Sequence, residues 1–371
     1  MPPDALAGSA RILLMRLDNA GDVIMLGPSV RAIRAAHPEA HIALLASRAG
    51  AAAAELLPGL DEIAVARVAW QDAGGGPADG AAEQQLVERL AAGSWDAVVV
   101  FTSFSQTPFP AGYAALLAGI PIRAGQSADF GGSVLSHQVR PAPWAGHQAD
   151  RNLHLVEGLG VPVVARGLDV KLPGSARRRI ADLLAEADVA GPPAPIVVVP
   201  GASAASRRPN PHLVAAAVRR IHDATYRPVV VAGTQRERPL AESIVAAVPG
   251  AVSLAGRTSF AELAALIERA GLVVCANSAS MHLADALRRP VVVFFAGTDL
   301  ESQWGPRQTP AALLRRDTDC HPCYLMDCPF QNACLEVDPA DVADAALRLI
   351  ANAGVTSNRS RQEDRWTAFA S

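Results

Sequence analysis

The sequence has almost no lysine: Lys171 is the only one among 371 residues, so arginine carries nearly all of the positive charge. Together with the abundant alanine, this reads as GC-rich coding rather than as chemistry. The formal net charge of -3, with arginines scattered along the chain, provides no basic field of the kind that holds nucleic acid. Long apolar runs are missing as well, and none approaches the roughly 20 residues that span a bilayer. The opening stretch MPPDALAGSA has neither a basic n-region nor an apolar h-region, so it does not read as a secretion signal. These absences predict a cytoplasmic protein with no nucleic-acid partner. Only five cysteines occur, which excludes a disulfide framework in that compartment, and four of them crowd between Cys320 and Cys334.

What is present is apolar. Half of the residues are hydrophobic and 19% are charged, the profile of a chain with a substantial core. At 371 residues it exceeds the size at which single cores stop growing, so two domains are expected.

In the first half, short β-branched runs alternate with alanine-rich segments of helical spacing. Strands are predicted over Arg11 to Leu17, His41 to Ser47, Glu62 to Ala66, Asp96 to Phe101 and Ile122 to Gly125. Helices are predicted over Val23 to Ala36, Ala49 to Leu56, Ala81 to Ala92 and Pro110 to Ala118. A strand such as DAVVVF has no polar face, so both of its faces are covered, as when helices flank a parallel sheet. The second half repeats the scheme with PIVVVPG, RPVVVAG, GLVVCAN and PVVVFFAG. The prediction is α/β, two Rossmann-like doubly wound parallel-sheet domains over residues 1–175 and 176–352, followed by a polar tail over 353–371 that includes Trp366 and Phe369. The stretch Gln71 to Gly80 reads as a flexible loop.

Open parallel sheets bind ligands outside the carboxyl ends of their strands. After the first strand comes DNAGD, where Asn19 and Gly21 form a turn and Asp22 falls in the first turn of a helix. Asp22 can be read as a helix cap or as a carboxylate acting as general base, and position alone leaves both open. In the second half, VVVPGASAASRRPNP brings small residues together with Arg207 and Arg208, which suit bidentate contacts to phosphate. A buried strand then ends in Asn277, and the residues Ser278, Ala279, Ser280, Met281 and His282 open a helix whose free N–H groups suit an anion.

Three stretches, ILLMRLDNAGDVIMLGPSVRAIRAAHPEAHIALLAS, PGASAASRRPNPHLVAAA and ANSASMHLADALRRPVVVFFAGT, resemble the motifs of glycosyltransferase family 9, the heptosyltransferases of lipopolysaccharide core assembly. The cysteine segment CHPCYLMDCPFQNACLEVDP is similar to one found in heptosyltransferase II-like members. The resemblance implies a GT-B fold with an acceptor domain, a donor domain and a cleft between them. It further implies inverting transfer of a sugar, a heptose in this family, from a nucleotide-diphosphate sugar such as ADP-heptose to a hydroxyl of a saccharide or glycolipid acceptor. No catalytic metal and no further cofactor are required in such a reaction. By the same resemblance Asp22 is the base, Arg207 with Arg208 and the 278–282 turn hold the diphosphate, and Glu237 and Thr258 face the nucleoside. Asn19, Gly21 and Asn277 line the cleft, and Ser103 to Thr107 form an acceptor-side loop. A lipid-linked acceptor would bring the protein to the inner face of the membrane as a peripheral partner.

The sequence departs from the family pattern at Asn277 and Ala279, where Asp and Gly are common, and at Asp18-Asn19, where a small hydroxyl pair is common. Two alternatives follow: a catalytically degenerate nucleotide-sugar binding protein, and a different GT-B enzyme such as a nucleotide-sugar epimerase. Cys320, Cys323, Cys328 and Cys334 have the composition of a structural zinc site but not the spacing of a standard zinc ribbon, and reduced thiols or a disulfide fit equally well. Cys275 reads as a core residue, and His147 and His154 as packing or capping residues.

Overall fold

In a computed structural model, which describes residues 2–71, 79–143 and 146–352, the chain divides between Lys171 and Leu172 into two compact units. Most of the loop expected over Gln71 to Gly80, and the polar tail with Trp366 and Phe369, lie outside the described residues.

The first unit holds strands β1 (Arg11–Arg16), β2 (His41–Ala46), β3 (Glu62–Val65), β4 (Ala97–Val100), β5 (Ile122–Gln126) and β6 (His137–Val139), in the order β3-β2-β1-β4-β5-β6. The second holds β7 (Ile196–Val199), β8 (Val229–Val231), β9 (Val252–Ser253), β10 (Leu272–Ala276), β11 (Val291–Phe294) and β12 (Ala311–Leu314), in the order β12-β11-β10-β7-β8-β9. Strand pairing is parallel in both. Counted from its own first strand, the second sheet has the same winding as the first. In each, the order reverses beside the first strand, at β1/β4 and at β7/β10. These reversals are the switch points at which doubly wound sheets bind ligands.

Every residue of β4, β7, β10 and β11 is buried, as their unbroken apolar runs require. In the first unit Leu13, Met15, Val98 and Val100 pack under Leu86, Leu90 and Ala115. In the second, Ile196, Val198, Val274 and Phe294 pack with Val214, Val218, Ile221 and Leu335. Full burial of such a side chain contributes about 1.5–3 kcal/mol, so these sheets are firm platforms for the loops at their carboxyl ends.

The helix expected over Val23 to Ala36 is two helices, Ala20–Ile24 and Gly27–Ala36. Pro28 causes the break: it lacks an N–H for a continuous helix and sits comfortably in the first turn of a new one. Strands β6, β9 and β12 were not legible, since they are only two to four residues long.

Candidate active site

At the first switch point, β1 ends in an arginine where its apolar run would suggest another hydrophobe. The Arg16 side chain is fully buried, and it is tolerated because two carboxylates meet it. Its Nε lies 2.9 Å from Asp18 Oδ2, and its Nη2 donates to Asp22 Oδ1 at 2.8 Å. The same Nη2 donates to Ser103 Oγ at 2.8 Å, and that hydroxyl donates to Asp22 Oδ1 at 3.4 Å. Asp22 Oδ2 accepts the Asn19 backbone N–H at 3.2 Å. The cap and the poised carboxylate are therefore one residue using two oxygens, and the Asp22 side chain keeps 14% of its surface exposed.

Asp18 is more deeply held. Its Oδ1 accepts from Gln106 Nε2 at 2.6 Å and from Gln71 Nε2 at 3.4 Å. Burial, the main cause, holds the Asp18 carboxyl above its ordinary value; Arg16 opposes this and Asp22 adds to it. Beyond them Arg151, on the helix Gln148–Gly158, donates to the Thr102 carbonyl at 3.3 Å and covers the Phe104 ring at 5.4 Å. Burial, and then the charge of Arg16, bring its guanidinium down to about 10. Gly50 allows the helix Arg48–Ala54 to pack against the Asp22 helix, since a Cβ there would lie 2.9 Å from Val23 Cγ2.

In the second unit the loop after β7 carries Arg207 and Arg208, and their guanidinium groups reach different partners. Arg207 Nη2 lies 2.9 Å from Asp299 Oδ2, and its Nε donates to Thr298 Oγ1 at 3.2 Å. Arg208 donates to the carbonyls of Ala202 (2.8 Å) and Ser203 (3.3 Å), bracing its own loop. Asn277, at the end of β10, is buried; its Nδ2 donates to Asp299 Oδ2 at 3.2 Å and its Oδ1 accepts the Ala296 N–H at 3.1 Å. Ser278 precedes the helix Ala279–Ala286, in which Ser280, Met281 and His282 are buried. The buried His282 Nδ1 has no hydrogen-bond partner among the described residues. Burial lowers the His282 imidazole to about 4, with Asp285 opposing and Arg207 reinforcing, so it is neutral at pH 7.

Glu237 closes a capping box, its Oε2 accepting from Thr234 N at 2.7 Å and from Thr234 Oγ1 at 2.9 Å. Its carboxylate occupies the space left by Gly201, where a Cβ would fall 1.9 Å from Oε1. Thr258 lies just ahead of the helix Phe260–Glu268.

The four cysteines are free thiols lining one cavity of about 410 Å³, beside Ser206 and Thr298. Among the described residues no three His, Cys, Asp or Glu side chains are gathered to hold an ion. The cysteine loop clasps the Arg207 loop: Ser206 Oγ donates to the Leu325 carbonyl at 2.6 Å, and Asn332 Nδ2 donates to the carbonyls of Ala205 (3.0 Å) and Arg208 (3.1 Å). Cys334 accepts the Gly297 N–H at 3.3 Å, and burial pushes its thiol up. Cys275 is a core residue with its thiol likewise pushed up by burial. His147 caps its helix through Nδ1, and His154 Nε2 meets the Arg140 carbonyl at 2.9 Å.

Sequence reasoning missed Arg16, Thr298 and Asp299, and it named Gln106 only as part of the Ser103 to Thr107 loop. A charged residue ending a buried strand was the available signal for Arg16, and AGTD directly after PVVVFF was the signal for Asp299.

The family model described as glycosyltransferase family 9 (heptosyltransferase) matches residues 84–334. Lipopolysaccharide heptosyltransferase 3 of Escherichia coli is 27% identical over 158 residues, which are 42% of this chain and 46% of that protein. The chain thus spans about half the length of that curated relative. Among solved structures, a glycosyl transferase family 9 protein from Veillonella parvula superposes with a TM-score of 0.74 at 20% identity, over 92% of this chain and 97% of that one. E. coli ADP-heptose LPS heptosyltransferase II gives 0.71 at 19% identity, over 93% and 99%. At such identities the likeness is one of fold, the GT-B fold of two Rossmann-like units. With its family model covering more than half of its length, the chain belongs to glycosyltransferase family 9 (heptosyltransferase).

Proposed function

We propose that this protein is an inverting heptosyltransferase that moves a heptose from an ADP-heptose-type donor to a hydroxyl of a lipopolysaccharide-core acceptor. The observation that carries the reading is Asp22, partly exposed after β1 at the first switch point and held there by Arg16 and Ser103. In this reading the first unit binds the acceptor, with Asn19 and Gly21 shaping the turn around the base, and the second binds the donor. Asp22 accepts the acceptor hydroxyl proton, the oxygen attacks the anomeric carbon from the face opposite the diphosphate, and the bonding pair of the breaking C–O bond leaves with ADP. Inversion follows.

The departing diphosphate gains negative charge, so opposing groups fixed in advance lower the barrier. Arg207 and the N–H groups opening the helix Ala279–Ala286, beside Ser278 and Ser280, are suited to this. Arg208 serves by holding the loop in shape. His282 contributes no charge at neutral pH. Glu237 and Thr258 are assigned to the nucleoside. The chemistry calls on no catalytic metal, and the thiol-lined cavity is assigned a bracing role for the phosphate loop. No helix among the described residues is long and apolar enough to cross a membrane, so contact with a lipid-linked acceptor would be peripheral, at the cytoplasmic face.

The test is Asp22→Asn, assayed for ADP release with ADP-heptose and a heptose-deficient lipopolysaccharide core. Transfer should be lost while the affinity for ADP stays within about twofold. Retained turnover would remove Asp22 as the base. A thermal-shift panel of ADP-, GDP-, UDP- and dTDP-sugars identifies the nucleoside, because a ligand of the native state raises its apparent stability.

A further inference from the structure

The geometry assigns Arg16 and Asp18 to Asp22 as positioning residues: one buried guanidinium is divided between two carboxylates, so that it still has a counter-ion when Asp22 takes up a proton. This inference rests on the reading of Asp22 as the base.

Three observations support it. First, the division is literal. Nη2 of Arg16 donates to Asp22 Oδ1 at 2.8 Å, while Nε lies 2.9 Å from Asp18 Oδ2 as an ion pair without a hydrogen bond between them, so one guanidinium serves two carboxylates. Second, Asp18 is fixed independently of the base. Gln106 and Gln71 hold its Oδ1, Gln106 Oε1 accepts the Ser103 N–H at 2.8 Å, and the Asp18 carbonyl accepts from Ser47 Oγ at 2.5 Å. Gln106 thereby joins Asp18 to Ser103, the hydroxyl that also touches Asp22. Third, the arrangement is not one that folding alone would favour. Side-chain exposure is 0% for Arg16 and 8% for Asp18, and Asp18 must share its surroundings with the like charge of Asp22. A buried ion pair gives little net stability. Kept at that cost beside a partly exposed carboxylate, it points to a task in the reaction.

The task follows from charge. Proton transfer from the acceptor hydroxyl neutralises Asp22. If Arg16 had Asp22 as its only partner, that step would leave a fully buried cation without a counter-ion, a state that is strongly disfavoured. With Asp18 present, the Arg16 charge is matched before and after transfer. The charged and titratable groups around Asp18 are Arg16, Asp22 and, at one remove, Arg151, which feels Arg16.

The experiment compares wild type, Asp18→Asn, Gln106→Ala and Asp22→Asn in steady-state turnover with ADP-heptose and heptose-deficient lipopolysaccharide core, alongside thermal unfolding. Asp18→Asn keeps the side-chain size and the Gln106 contact but removes the charge and sets an amide against Arg16 Nε, so its Tm should fall. At a temperature well below the unfolding of every variant, its kcat should fall by about tenfold or more while its donor KM stays within about twofold. Gln106→Ala, on a half-buried loop, should lower kcat by a few-fold through loosening Asp18, at unchanged donor KM. If the folded Asp18→Asn protein turns over like wild type, or if donor KM rises in step with the loss of kcat in both variants, the inference is wrong while the base reading stands. Should Asp22→Asn itself retain turnover, both fall together.

Discussion

The side-chain amide of Asn277 donates to Asp299 Oδ2 at 3.2 Å, and the same carboxylate oxygen lies 2.9 Å from Arg207 Nη2 and accepts from Thr298 Oγ1 at 2.6 Å. A carboxylate thus lies beside Asn277 at 299, within ion-pair distance of Arg207. Asn277 is an uncharged bridge that ties the end of β10 to the loop after β11.

Asn277→Asp should therefore damage the protein although it restores the commoner residue. It would set two carboxylates against each other in a buried space and remove the donor that Asp299 uses. We expect a loss of about 3 kcal/mol at pH 7. The introduced carboxyl would have a raised folded pKa, so the deficit should shrink in acid and grow as pH rises through that value. Chemical denaturation of variant and wild type from pH 4 to pH 8 reads this directly, and a pH-independent difference would count against it.

His282 predicts a pH dependence of the opposite sense. Its folded value of about 4, against 6.5 ordinarily, means that the unfolded chain takes up a proton first as pH falls. Stability from this residue is complete above 6.5 and is lost between 6.5 and about 4, on the order of 3 kcal/mol in all. In His282→Gln that part of the slope should vanish. Parallel stability curves for the two proteins across this window would refute the buried neutral imidazole.

Gly201→Ala tests the place of Glu237. The added Cβ would fall 1.9 Å from Glu237 Oε1, the end of a side chain that can swing away, so the fold should tolerate it with only a small change in Tm. The displaced carboxylate would no longer face a nucleoside, and ADP affinity measured by calorimetry should fall several-fold. Unchanged affinity would leave Glu237 as a capping residue alone.

The parts of this architecture that burial dictates were legible in the sequence. DAVVVF, IVVV and LVVCA have no polar face and form central strands, and the loops at their ends carry Ser103, Arg207 and Asn277, while Asp22 follows the buried strand β1. The edge strand β6 escaped because such a strand need not be apolar on both faces: HQV is largely exposed. Arg16 escaped for a different reason, since an arginine is read as solvated unless its partners are known, and Ser103 lies 87 positions away. The different partners of Arg207 and Arg208 were hidden as well, because adjacent residues of one type differ only in what their guanidinium groups reach.

The flanks of the two sheets carry a consequence for behaviour at high concentration. The outermost strands β3, β6, β9 and β12 contain four, three, two and four residues, against six in β1. An unpaired margin of that length presents few backbone groups to a strand from another molecule, so it is a poor template for intermolecular β-addition. A chain that is half hydrophobic can in this way keep its parallel sheets from recruiting copies of themselves, with brevity at the margins substituting for charge.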